Sequence, residues 1–125
     1  MSKETAGDYT QVALAFTKAL AARDYAAAYA LTSRAYRDGT NLKAMADAFE
    51  AIVPLDWPAG GPIEAGETME EWPGREPSDA GWVYVSVGGD VYSEAVTVVV
   101  TREEGELRVR AGIRPALTRP RFPDW

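Results

Sequence analysis

The sequence predicts an α+β fold, and two observations carry that prediction. Alanine-rich sequence with helical spacing runs from about Asp8 to Ile52, and strongly β-patterned sequence runs from Trp82 to Ile113. Helices first and strands last specify a domain in which helices cover one face of an antiparallel sheet. The expected architecture is three N-terminal helices packed on a curved, mostly antiparallel sheet of about four strands. A chain of 125 residues fits one domain, and area scaling has it bury about two thirds of its extended-chain surface. The expected division is a tail over 1–7, the domain over 8–114 and a Pro-rich extended arm over 115–125.

Asp8 is the expected cap of a first helix reaching about Ala22, with Tyr9, Val12, Phe16 and Leu20 along one stripe. Asp24 caps a second helix in which Tyr25, Ala28, Tyr29 and Thr32 share a face. Gly39 separates it from a third, Leu42 to Ile52, capped by Asn41 and ended by Pro54. In that helix Leu42, Met45 and Phe49 form the apolar stripe, with Ile52 beside it.

Trp57 to Pro62 is a turn-rich connector. A first strand is expected over Ile63 to Trp72, where Ile63, Ala65 and Met69 alternate with polar neighbours. Pro73 to Gly81 reads as an exposed loop. Three further strands are expected: Trp82 to Val87, Val91 to Arg102, and Glu106 to Arg114. Pro115, Pro120 and Pro123 make the end an arm rather than an element.

Glu103-Glu104-Gly105-Glu106 reads as a two-residue hairpin turn centred on Glu104-Gly105. That register sets Val100 opposite Val109, Val98 opposite Ala111 and Val96 opposite Ile113, all on an inner face. Thr97, Val99, Thr101, Arg108, Arg110 and Arg114 then face outward. Carrying the alternation backward puts Glu94 and Tyr92 on the inner side. A two-residue loop at Gly88-Gly89-Asp90 turns Val83, Val85 and Val87 inward and Trp82 and Tyr84 outward; a three-residue loop reverses this. The shorter loop is favoured.

Composition removes many chemistries. With no histidine and no cysteine, a Ser-His-Asp triad, a Cys/His zinc site and a disulfide framework are all impossible. A net charge of −6 argues against nucleic acid, which needs a concentrated basic face. Glu64, Glu67, Glu70 and Glu71 lack the spacing and central glycine of a calcium loop. Gly60-Gly61 and Gly88-Gly89 lack the lysine and helix of a phosphate loop. No cofactor or metal is expected. The polar start and the short apolar runs point to a cytoplasmic chain that does not enter a membrane.

The run Val12 to Tyr29, with its helix, its break at Arg23 and its Asp24-Tyr25-Ala26-Ala27-Ala28 start to a second helix, resembles the NTF2-like (cystatin-like α+β) superfamily, as does the closing run of long strands. The resemblance implies a cone of helices on a curved sheet. It also implies a choice between ketosteroid isomerase-like or polyketide cyclase-like enzymes and non-catalytic binding or dimerisation domains. Dehydratase-like members depend on histidine, so that branch does not fit.

Two readings of Glu94 remain open. It either reaches water or pairs with Arg34 or Arg37 at a splayed strand end, or it lines a pocket with Tyr92 as a candidate general base. The expected ligand pocket is lined by Tyr9, Phe16, Tyr25, Tyr29, Phe49 and Val96. The expected homodimer interface is Trp82, Tyr84, Val99, Arg108 and Arg110 on the outer sheet face, a composition common at interfaces. The leading expectation is a non-catalytic domain that binds a small hydrophobic ligand or a protein. The alternative is an isomerase or cyclase with Glu94 as base and a tyrosine as donor to the developing oxyanion. A basic, aromatic tail with Arg114, Arg119, Arg121, Phe122 and Trp125 is expected to dock on a partner subunit, the alternatives being that it lies along its own domain or is disordered.

Overall fold

The computed structural model describes residues 6–53, 63–73, 75–88 and 93–115. Most of the expected tail over 1–7, residues 54–62 with the expected connector from Trp57 to Pro62, residues 89–92, and the expected arm beyond Pro115 lie outside the described residues. Within them the chain runs through α1 (Ala6–Ala21), α2 (Tyr25–Ala30), α3 (Arg34–Gly39), α4 (Leu42–Ile52), β1 (Ile63–Met69), β2 (Asp79–Gly88), β3 (Ser93–Glu103) and β4 (Glu106–Pro115). The four strands form one antiparallel sheet in the order β1-β2-β3-β4.

Asp8 lies inside the first turn of α1 rather than at its cap, where a carboxylate still complements the helix dipole. Tyr9, Ala13, Phe16 and Leu20 are buried along one stripe. Thr17 is buried among them because its hydroxyl donates to the Ala13 carbonyl at 3.0 Å. The helix ends at Arg23, which takes a left-handed φ of 65°. The Arg23 and Asp24 amides donate back to the Leu20 and Ala19 carbonyls, each at 2.9 Å, the Schellman pattern that closes a helix C-terminus. Asp24 then caps α2 by accepting from the Ala27 amide at 3.2 Å.

The expected three helices are four. The second breaks at Leu31–Ser33, where the backbone joins the outer edge of β4. The Ser33 amide donates to the Val109 carbonyl at 2.8 Å, and the Val109 amide donates to Leu31 at 2.9 Å. An edge strand left with bare amides is costly, and the β-branched Thr32 suits an extended conformation. Ser33 restarts the helix by accepting from Tyr36. In α4, Asn41 is the cap and Met45 and Phe49 are buried, but Leu42 is 38% exposed and leaves the stripe.

The hairpin forms at Glu104-Gly105, with Glu103 opposite Glu106. Both turn residues take positive φ, 54° and 84°, the type I′ geometry that matches strand twist. Glutamate has no freedom there beyond an ordinary side chain, so Glu104→Asn is expected to raise stability by up to about 1 kcal/mol, even though it removes an exposed pair of small worth with Arg34. A higher urea midpoint at unchanged slope would show it.

Val96, Val98 and Val100 on β3 and Val83, Val85 and Val87 on β2 all point into the core, with Val109 from β4. Val83 sits opposite Val98 and Val85 opposite Val96. The inner and outer faces of β2 and β3 are therefore those expected, although Gly88 pairs with Ser93, which leaves four residues between the strands where a two-residue loop was expected. The β3–β4 register differs. Val100 lies opposite Val109 as expected, but shifts follow on each side of Val99, so Val99 faces Ala111, Thr97 faces Arg114 and Val96 faces Pro115. Bulges in the strand pairing advance β4 step by step and bend it. A bulge between Ala65 and Thr68 does the same to β1. It keeps Ile63 and Ala65 against the core while Met69 moves opposite Trp82, to the outer face. The strand ends there rather than at Trp72.

Candidate functional site

Each residue singled out from the sequence has a place in this frame. Glu94 is half-buried opposite Val87, so it lies on the helix side of the sheet. It makes no hydrogen bond or ion pair with Arg34 or Arg37, the two expected partners. Arg34 bonds Glu104 at 2.9 Å, and Arg37 bonds the Thr32 carbonyl at 3.1 Å. Tyr92 lies outside the described residues.

The six expected pocket residues divide into two groups. Tyr9, Phe16, Phe49 and Val96 are buried and pack into one apolar cluster with Leu20, Met45 and the inward valines. Tyr25 and Tyr29 are half-buried at its margin. The three tyrosines of the expected pocket have their hydroxyls engaged away from Glu94. Tyr9 donates to Glu70 at 3.5 Å, Tyr25 to Glu50 at 2.6 Å and Tyr29 to the Thr40 carbonyl at 2.9 Å.

The Tyr25 contact belongs to a tie between the first turn and α4. The Arg23 guanidinium donates to the Tyr25 hydroxyl at 3.2 Å and to the Val53 carbonyl at 3.0 Å, and it lies 5.3 Å from the Phe49 ring centre. Burial pushes the Tyr25 hydroxyl pKa up, Glu50 adds to this, and Arg23 opposes it. For Tyr9 burial is again the main cause, with Thr68 opposing and Glu70 adding. Both phenols stay protonated, as donors, in the neutral range.

The outer face holds the expected interface residues. Trp82 lies opposite Val99 and Tyr84 opposite Thr97. The Tyr84 ring covers Gly66 of β1, where an added Cβ would meet it at 3.2 Å; an aromatic across from a strand glycine replaces the packing that glycine lacks. Trp82 and Val99 are only 8% and 9% exposed. Arg108 donates to the Ala30 carbonyl at 2.8 Å and to Glu106 at 2.6 Å.

Arg110 reaches the residue that the sequence reading missed. Asp79 was expected in an exposed loop, yet it opens β2 and its side chain is 0% exposed. Arg110 grips it with two parallel bonds, Nε to Oδ1 at 2.7 Å and Nη2 to Oδ2 at 2.6 Å. The Glu76 amide donates to the same carboxylate at 2.8 Å. Burial alone would raise the Asp79 pKa, but Arg110, the Glu76 amide and Thr101 together outweigh it and hold the carboxylate below its ordinary range. Next to it, Ser78 and Thr101 share a 3.0 Å bond, and Arg75 donates to the Asp79 carbonyl at 3.0 Å with its guanidinium 6.0 Å from the Trp72 ring centre. A fork-shaped pair on a buried carboxylate is a structural clamp. The only sequence hint was an acid in a short loop before a strand, too common to single out.

Among the described residues no three acidic side chains come together as a metal-holding group, and no helix is long and apolar enough to cross a membrane. No family model, curated protein or solved structure matches the chain.

Proposed function

We propose that the chain is a non-catalytic binding domain of the NTF2-like kind, acting in the cytoplasm as a homodimer through the outer face of its sheet. The carrying observation is the row of Trp82, Val99, Tyr84 and Thr97, set side by side in register on the face turned away from the helical core. Tyr84 is the half-buried member of that row, whereas Trp82, Val99 and Thr97 are already buried, so a second copy would engage the face through Tyr84. The burial of Tyr9, Phe16, Phe49 and Val96 in one apolar cluster supports the same reading, because the residues expected to line a pocket pack as core. Light scattering across a concentration series is expected to give a dimer that Tyr84→Arg weakens. A wild-type monomer at the highest soluble concentration would contradict the proposal.

A second reading rests on Glu94, a half-buried carboxylate on the inner side of the sheet. It makes the domain an isomerase or cyclase for a hydrophobic ketone, with Glu94 as general base. Against it stand the hydroxyls of Tyr9, Tyr25 and Tyr29, which are engaged with Glu70, Glu50 and Thr40. Turnover of such ketones that Glu94→Gln abolishes at unchanged Tm would favour it. Turnover equal in both proteins, or absent in both, would remove it.

A further inference from the structure

The helices are not anchored alike. α1 packs against all four strands of the sheet, whereas α4 rests chiefly on α2 and β4. Met45, Ala46 and Phe49 are the buried residues of α4, and the rest of the helix faces solvent or lies at the margin. Both ends of α4 are held by side chains from one short stretch of chain. The Tyr29 hydroxyl donates to the Thr40 carbonyl, just ahead of the Asn41 cap, at 2.9 Å. At the other end Tyr25 donates to Glu50 at 2.6 Å. Arg23 donates to the Val53 carbonyl there at 3.0 Å, with its guanidinium 5.3 Å from the Phe49 ring centre. Tyr25 and Tyr29 stand four residues apart, so one face of α2 serves both ends.

Arg23 carries a second signal. Its φ of 65° is the left-handed conformation that closes a helix, where glycine is the residue of least strain. An arginine there strains the backbone, and its contacts with α4 are the compensating gain.

We infer that α4 is a latched flap, which swings open as one unit on the Gly39-Thr40 joint when Arg23 and Tyr25 let go, while α1 and the sheet stay folded. Gly39 is exposed, with nothing within 4 Å of a Cβ placed on it, and Thr40 is extended, so the joint turns without a clash. Tyr29 pins that joint. Elements that bury few side chains open before the core does. The open state bares Met45 and Phe49 on the flap, and Ala28 of α2 and Val109 of β4 on the elements under it. The flap stands apart from the proposed dimer, because no residue of the outer sheet face takes part in it.

Native-state hydrogen exchange of the full chain, followed amide by amide, is the test. Arg23→Gly removes the latch and suits the left-handed turn. That turn is the same with the flap closed or open, so relief of its strain cancels between the two states. Exchange of the α4 amides from Ala46 to Ile52 is expected to rise about tenfold, since a charge-assisted bond to the helix end is lost. Val85→Ala weakens the sheet, which is folded in both flap states. It is expected to speed the amides of β2 and β3 and to leave those of α4 unchanged. If Val85→Ala speeds α4 as much as the strands, the helix opens only with the whole domain and the inference is overturned. Unchanged α4 exchange in Arg23→Gly would overturn it too. Should either variant fail to fold, exchange of the wild-type chain in low urea decides. A shallower urea dependence for α4 than for β2 and β3 supports the flap, and equal slopes overturn it.

Discussion

Replacing Arg110 by alanine is expected to lower stability by about 3–5 kcal/mol, the usual cost of leaving a buried carboxylate without its partner. That is a large share of a total near 5–15 kcal/mol. Asp79 has no exposed surface to fall back on, and its remaining donors are the Glu76 amide and Thr101. Asp79→Asn is expected to cost less, because it removes the buried charge and still accepts the Glu76 amide. Urea titration at neutral pH separates the two.

The same clamp sets a pH dependence. Asp79 is held below its ordinary pKa in the folded chain, with burial opposing and Arg110, Glu76 and Thr101 prevailing. Its contribution is therefore complete above the unfolded carboxyl pKa of about 3.9 and is lost as pH falls through the lower folded value. Wild-type stability should fall across that acid window, and Asp79→Asn should flatten the fall. An identical acid limb in both proteins would show that other carboxylates control it.

Gly81→Ala is the second large effect. A Cβ at Gly81 would overlap three atoms of the Tyr9 ring, and Tyr9 is 2% exposed in the core with no room to retreat. Overpacking of this kind costs about 1–3 kcal/mol. The test is a double-mutant cycle. In a Tyr9→Ala background the overlap is gone, so Gly81→Ala should cost little there. A cost that persists would place the strain in the β2 backbone, where a bulge falls between Asp79 and Gly81.

Much of the frame was readable without coordinates, and for a local reason. Asp24 and Asn41 cap helices because each carries a side-chain oxygen two to three residues before an orphan amide. The valines of β2 and β3 face inward because strand side chains alternate with period two. Glu104-Gly105 turns because positive φ is needed at a tight hairpin. Glu94 falls on the inner side by the same count, and Trp82 and Tyr84 on the outer.

What escaped was set by partners far along the chain. Nothing near Thr32 announces that its backbone will edge β4 at Val109, so one helix was expected where two form. Met69 follows the alternation of Ile63 and Ala65 until the bulge at Gly66-Glu67 reverses its side. Asp79 looks like any loop acid until Arg110, 31 residues later, closes on it. The candidate pocket met the same limit: Tyr9, Phe16, Phe49 and Val96 were legible as apolar and inward, but whether inward residues line a hollow or fill it depends on how close the two layers come.

The amino-acid order alone thus determined the helix caps, the hairpin and which side of each central strand is apolar, since these follow from conformational preferences within a few neighbouring residues. Tertiary structure alone decided the extra helix break, the bulged registers and the buried Asp79–Arg110 clamp. Those arise where backbone amides and a buried charge must find partners, and the partners that satisfy them are distant in sequence.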